Sequence, residues 1–267
     1  FSSSALSIDV SRFNRILAFD AEQGWVDIEA GASLGKLFEF LTPHDLHLPV
    51  QPGHPQITVG GCIAANVHGK NQYSEGVFAS QVLELALFHP DHGVVTCSKQ
   101  ENSELFDLTN GGFGLTGIIL SARLAVSRLP GQAIREERIK VGNLKEAFHE
   151  IDRLKSDYDM IYCWNDLSRL GADAGRGYIV AGTYIAADTA APVARYKRLD
   201  PSANRRFRPM IFSDPAMKWI NWVYYRQNTW SSKPRTVPLF EFLFPAVGKE
   251  FFFEYFGQRG FHELQVL

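Results

Sequence analysis

The chain has 267 residues, 45% hydrophobic and 21% charged, enough apolar material for one large domain or two of ordinary size. Its 27 basic and 29 acidic residues leave a net charge of −2, so it lacks the electrostatic footprint of a nucleic-acid-binding protein. No apolar run approaches the roughly 20 residues that span a bilayer, and residues 1–7 do not read as a signal peptide.

In chain order, Leu6–Val10 alternates as a strand does, and Ile16–Phe19 and Trp25–Glu29 repeat the pattern around an acidic turn at Asp20–Gly24. Ser33 then caps an expected helix with an apolar face of Leu34, Leu37, Phe38 and Leu41, stopped at Pro43. Residues 48–55 are rich in proline and glycine and form an irregular connection. The run Thr58-Val59-Gly60-Gly61-Cys62-Ile63-Ala64-Ala65-Asn66 suits a short helix whose backbone packs very close to a neighbour. Val82–Phe88 and Val94–Cys97 read as a hairpin about Pro90-Asp91-His92-Gly93. Ser103 is the expected cap of a short helix through Leu108, and Leu115–Val126 is a long strand candidate.

Composition shifts after Pro130-Gly131, and a domain boundary is expected near residue 130. Beyond it come a charged strand (Ile134–Val141), an amphipathic helix (Leu144–Leu154) and two strands, Met160–Trp164 and Gly177–Ile185. Residues 186–215 read as loop, with Arg205, Arg206 and Arg208 as a solvated face or a phosphate or headgroup contact. From Trp219 to Phe253 the chain is dense in aromatics, read first as core and alternatively as a groove for a long apolar substrate tail. Both ends look cut: strand-like sequence lies close to Phe1, and Leu267 falls in what reads as mid-strand.

Cys62, Cys97 and Cys163 are too few and too widely spaced for a disulfide framework or a zinc pattern. The expectation is three buried or half-buried thiols in a reducing compartment, the cytoplasm or its face of the inner membrane. The histidines outside position 68 show no metal-ligand spacing, so no metal is expected.

Two glycine clusters carry the chemistry. One spans Gly53–Asn71 and holds Thr58, Gly60, Gly61, His68, Gly69 and Lys70; the other is Gly111-Gly112-Phe113-Gly114-Leu115-Thr116-Gly117. Backbone without Cβ atoms can approach a phosphate or a flat ring. Tight turns between strands are the plain alternative for either cluster alone. No glycine here precedes Lys-Ser/Thr as in a P-loop, and Gly111–Gly114 opens a strand, which disfavours a nicotinamide-binding Rossmann fold.

The stretch Pro52-Gly53-His54-Pro55-Gln56-Ile57-Thr58-Val59-Gly60-Gly61 with His68-Gly69-Lys70-Asn71, and the block Gly111–Ile119, give the family. Residues 45–126 resemble the FAD-binding domain of the vanillyl-alcohol oxidase/PCMH superfamily. They are most similar to its decaprenylphosphoryl-ribose oxidase branch, with sugar-lactone and alditol oxidases more distant. The resemblance implies an α+β fold: a PCMH-type FAD-binding domain of mixed sheets with helices over 1–130, and part of an antiparallel-sheet substrate domain over 131–267. Residues 224–266 are similar to part of that substrate domain. The family's upstream pyrophosphate loop would precede Phe1, and its carboxyl-terminal return to the flavin domain would follow Leu267.

By the same resemblance, Gly53, Thr58, Val59, Gly60 and Gly61 match residues that hold FAD and its diphosphate through backbone contacts. His68, Gly69, Lys70 and Asn71 match the turn beside the isoalloxazine ring, and Ile119 a cofactor-touching position in the second block. Lys70 matches a lysine facing the substrate, and Trp164 aligns with a pocket aromatic. The implied activity is oxidation of an alcohol carbon on a sugar-like, polyol or lipid-linked sugar substrate, with His68 and Lys70 as the catalytic residues. His68 would contact or polarise the flavin; Lys70 would bind the substrate hydroxyl or phosphate, or shuttle a proton. Oxygen, a quinone or another carrier stays open as electron acceptor, as does peripheral membrane association. The rival reading is a non-catalytic relative that serves as a binding or scaffold module.

Overall fold

The computed structural model describes residues 8–186, 213–231 and 233–248. They fall into two compact units, one running to Pro130 and the other starting at Gly131.

The first unit opens with β1 (Ile16–Asp20) and β2 (Trp25–Glu29), joined by a tight turn in which the Asp20 carboxylate accepts from the Glu22 and Gln23 amides. Residues 8–10, expected to extend as a strand, are not in one, and Leu6 and Ser7 lie outside the described residues. Helix α1 (Leu34–Leu41) begins where the Ser33 side chain accepts from the Lys36 amide at 3.2 Å. Its stripe of Leu34, Leu37, Phe38 and Leu41 is buried, each side chain contributing about 1.5–3 kcal/mol of burial. A 3-10 turn at Thr42–His44 takes up Pro43, so the chain tightens before it leaves the helix.

There follow β3 (Leu46–His47), α2 (Val59–Ala64), α3 (Gln72–Glu75), β4 (Val82–His89), β5 (Gly93–Ser98), α4 (Ser103–Thr109), β6 (Ile118–Ala125) and β7 (Ser127–Arg128). Ser103 is the first helical residue of α4 and not its cap; left-handed Asn102 holds that place, its side chain donating to Thr96 O. Strand β6 starts three residues later than expected, after Gly117 at φ +139°. The five-stranded sheet has the order β1-β2-β6-β4-β5, and β3 pairs with β7. The core of Val26, Ile28, Leu85, Leu87 and Leu124 is closed by α1 and by Val59, Cys62 and Ile63 of α2.

The second unit contains β8 (Ala133–Val141), α5 (Leu144–Leu154), β9 (Met160–Asp166), β10 (Arg176–Ile185), α6 (Asp214–Asn228), β11 (Arg235–Pro238) and α7 (Leu239–Leu243). Its sheet order is β11-β8-β10-β9. Strand alternation gives this sheet two unlike faces. One is apolar, where Ile161, Ile179 and Ala181 meet Ala147 and Leu154 of α5. The other carries Glu136, Arg138, Trp164, Asp166 and Tyr178, and meets α6 through Asn221, Tyr224 and Asn228.

The α+β class is as expected, but every described strand pair is antiparallel in both units, where mixed sheets were expected in the first. Short turns of four residues (21–24) and three (90–92) join β1 to β2 and β4 to β5, and such tight reversals need no parallel crossover. Cys62 and Cys97 are buried, whereas Cys163 is exposed, contrary to the expectation for all three thiols. It shares a face with Ile161 and pairs with Ile179, but β9 is the edge strand of its sheet, which leaves the thiol open on one side. The aromatic run splits: Phe240, Phe242 and Phe244 are core, while Trp219, Trp222 and Trp230 are exposed. Helix α6 was not expected; its signal is Ser213, which caps the Ala216 amide, followed by Pro215 in the first turn. Arg205, Arg206, Arg208, Phe251–Phe253, the C-terminal stretch 249–267 and most of the expected 186–215 loop lie outside the described residues.

Candidate cofactor site

Besides its core side chains, helix α2 is held just past the end of β2 by backbone hydrogen bonds. Val59 N donates to Ala32 O at 2.9 Å and Gly60 N to Ala30 O at 2.8 Å, while Ala30 N donates to Leu120 O. A Cβ on Gly60 would lie 3.0 Å from Ala30 Cβ, so this approach needs a residue without a side chain. Thr58 caps the helix, its hydroxyl accepting from Gly61 N at 3.2 Å.

The second glycine block docks onto the other end of α2. Gly111 N donates to Ile63 O and Phe113 N to Ala64 O, both at 2.9 Å. These bonds satisfy carbonyls that the last turn of a helix leaves open. Asn66 and Phe113 both take left-handed backbone (φ +43° and +50°), and the Asn66 side chain accepts from Ala79 N at 3.0 Å. Two runs of small residues some fifty positions apart therefore form one continuous surface, along which Gly61, Ala65 and Gly114 are exposed.

The His68-Gly69-Lys70-Asn71 turn flanks it. His68 forms a bridge with Val77, and its Nδ1 lies 3.1 Å from Gly69 O. A carbonyl only accepts, so Nδ1 carries the hydrogen of this contact. Gly69 packs on Gln51: an added Cβ would sit 3.2 Å from its nitrogen and 2.5 Å from Asn71 Oδ1. Asn71 is buried, donating from Nδ2 to Pro49 O at 2.9 Å. Lys70 reaches toward Gly53, whose Cβ, if present, would lie 4.0 Å from Nζ. Burial lowers the Lys70 pKa to about 8, which brings its proton exchange near neutral pH. Burial raises the Cys62 thiol to about 12, consistent with an inert core residue.

Gly53, Thr58–Gly61 and His68–Asn71 are thus assembled in the first unit. The amide hydrogens of Val59, Gly60 and Gly61 point inward to Ala32, Ala30 and Thr58. These N–H groups hold the fold, and what the residues offer outward is open surface. Ile119 is 8% exposed, with its side chain in the core. Trp164 belongs to the second unit, 5.7 Å from Tyr178 and 5.1 Å from Tyr224, centroid to centroid. Sequence reasoning missed Asn110. Its Oδ1 is buried without a hydrogen-bond partner, while Nδ2 donates to Phe106 O. The Asn110-Gly111 pair signals a helix end, which hid that acceptor.

A surface stripped of side chains, flanked by a half-buried lysine and a histidine and backed by an unpaired buried carbonyl oxygen, fits a large flat cofactor with polar edges. The family model described as FAD binding domain matches residues 2–98. The chain carries an FAD-binding domain of the PCMH type, from the vanillyl-alcohol oxidase superfamily, and FAD is its cofactor.

Among individual relatives it is similar to decaprenylphosphoryl-beta-D-ribose oxidase of Mycolicibacterium smegmatis, 36% identical over 181 residues, which cover 67% of this chain and 39% of that protein. It is also similar to L-gulonolactone oxidase of Mus musculus, 33% identical over 117 residues (44% of this chain, 26% of that protein). Cytokinin dehydrogenase 1 of Oryza sativa subsp. japonica is 38% identical over 128 residues (47% and 22%). The matched part of the chain spans less than half the length of each of these relatives.

Proposed function

We propose that the protein is an FAD-dependent oxidoreductase that oxidises an alcohol carbon of a sugar-like, polyol or lipid-linked sugar substrate. The observation that supports this most is the junction of Ile63 and Ala64 with Gly111 and Phe113, which makes one open surface at the end of α2, from which the chain runs directly into the His68–Lys70 turn. The relatives named as oxidases of decaprenylphosphoryl ribose and gulonolactone favour a sugar-like substrate.

Bound FAD supplies the hydride acceptor, so the chain's own residues need only bind, orient and move a proton. Gly53, Gly61, Gly69 and the backbone near Ile119 would border the cofactor, with Thr58, Val59 and Gly60 shaping the surface beneath it and Asn71 fixing the turn. His68 would present Nε2 to the cofactor. Lys70 would take the proton from the substrate hydroxyl at Nζ, because burial keeps a useful fraction of its amine neutral.

The sign of the pH dependence follows. A base with a pKa of about 8 is active when neutral, so turnover rises as pH increases through about 8 and then levels. Lys70→Ala should lower turnover at least about tenfold with flavin still bound, and Lys70→Arg, which stays charged, should lose the rise. Turnover unchanged in Lys70→Ala, or flat from pH 7 to 9 in the parent protein, would remove Lys70 from the mechanism. The wider reading is tested by absorbance: bands of oxidised flavin that bleach on adding a polyol, a sugar lactone or a prenyl-phospho-sugar support it. A protein that stays colourless in saturating FAD is the scaffold module instead.

A further inference from the structure

Helix α6 is inside out. Its side toward the sheet is polar: Asn221 Nδ2 donates to Asp166 Oδ1 at 2.8 Å, Asn228 meets Arg138, and Tyr225 lies under the Arg176 guanidinium at 4.9 Å. Its outer side carries the large apolar groups. Trp219 is 65% exposed and Trp222 45%, and Trp230, just past the helix, is 82% exposed. Lys218, Trp219, Trp222 and Arg226 are exposed at i, i+1, i+4 and i+8, positions that share one stripe of the helix, with Arg226 6.0 Å over the Trp222 ring. Exposed aromatics this closely grouped indicate a docking surface more than chance exposure.

We infer that this stripe seats the protein on an anionic phospholipid surface. The charge supports that occupant: Lys218, Arg226 and Lys233 face a single acid, Asp214, over residues 213–233. A protein partner would have to desolvate cations interleaved with the tryptophans, and the centres of protein interfaces are depleted in charge. At a headgroup layer the same cations meet phosphate and stay hydrated, each worth about 1 kcal/mol, while indole rings favour that depth. No helix among the described residues is long and apolar enough to cross a membrane, so the contact would lie in the interface plane. This inference is independent of the flavin reading.

The test is co-sedimentation of the full chain with vesicles of equimolar phosphatidylglycerol and phosphatidylcholine, set against pure phosphatidylcholine. Binding at least tenfold stronger to the anionic vesicles is expected, with a blue shift of tryptophan emission and quenching by brominated phospholipid. Trp219→Ser/Trp222→Ser/Trp230→Ser and Lys218→Glu/Arg226→Glu should each weaken binding at least tenfold. The quenching needs no variant, so it decides the matter even where a variant misfolds. Equal binding to both vesicles, unquenched emission, or a lipid-free dimer abolished by the serine variant would overturn the inference.

Discussion

In the first unit a site is made by leaving side chains out, and in the second a polar face is made by crowding them in. Around α2, closeness comes from backbone meeting backbone: Gly60 on Ala30, Gly69 on Gln51, Gly112 on Leu108. On the inner face of the β8–β11 sheet, closeness comes from charge and ring pairs. Glu136 receives Arg138 at 2.7 Å and Arg235 at 2.8 Å, and Trp164, Tyr178 and Tyr224 pack together. The first arrangement leaves a surface open to a ligand. The second pairs its charges with one another, down to the 3.5 Å contact of Arg176 with the buried Asp166, and fixes the position of a helix. A glycine-built site fails by collision and a side-chain-built face by orphaned charge, and substitutions tell them apart.

The largest effect is expected at Gly112. A Cβ there would lie 2.1 Å from Leu108 O, a backbone atom that cannot rotate away. Gly112→Ala should destabilise the first unit by about 3–4 kcal/mol, the upper range of overpacking, read as a lowered denaturant midpoint. An unchanged midpoint would mean that the Thr109–Gly114 turn relaxes freely and that backbone contact is not what sets the block in place.

Next comes Glu136, whose side chain is only 4% exposed between two arginines. Glu136→Ala leaves Arg138 half-buried without its carboxylate, and should cost about 3 kcal/mol in the second unit. Glu136→Gln, which keeps the shape and loses the charge, separates packing from electrostatics. If the glutamine variant matches the parent, the pair is decorative and the contrast between the units weakens.

The two units also differ in how far their sequence could be read. The glycine shelf was legible because small residues cluster locally: Thr58–Asn66 and Gly111–Gly117 each declare a close approach within a few positions. What they approach is less local, and the inward use of the Val59, Gly60 and Gly61 amides could not be foreseen from spacing. Strands β8, β9 and β10 were legible from alternation. The network over them was not, since Glu136 and Arg235 lie 99 positions apart and Arg138 and Asn228 lie 90 apart. Helix α6 was hidden for a related reason. With a hydrogen-bonding inner side and a tryptophan-rich outer side it reverses the usual pattern, so an apolar face read from sequence would be placed on the wrong side.

The smallest change in stability, and the sharpest test of the contrast, is at Gly53. This glycine is exposed, has no positive φ, and an added Cβ would meet only Lys70 Nζ at 4.0 Å, an ordinary contact. Were glycine there merely to permit a fold, as at Gly112, alanine would be costly. The geometry says otherwise: Gly53→Ala should change unfolding free energy by less than about 0.5 kcal/mol. Its effect should fall on the open surface. The methyl group takes space a cofactor would border and excludes water from Nζ, so FAD should bind about tenfold more weakly, roughly 1.4 kcal/mol. The pH at which turnover rises should move below the parent's value of about 8, because further desolvation favours the neutral amine. FAD titration by absorbance and a pH–rate profile measure both. A variant with full FAD affinity and an unshifted profile would make Gly53 a turn residue and leave Lys70 without the neighbour assigned to it.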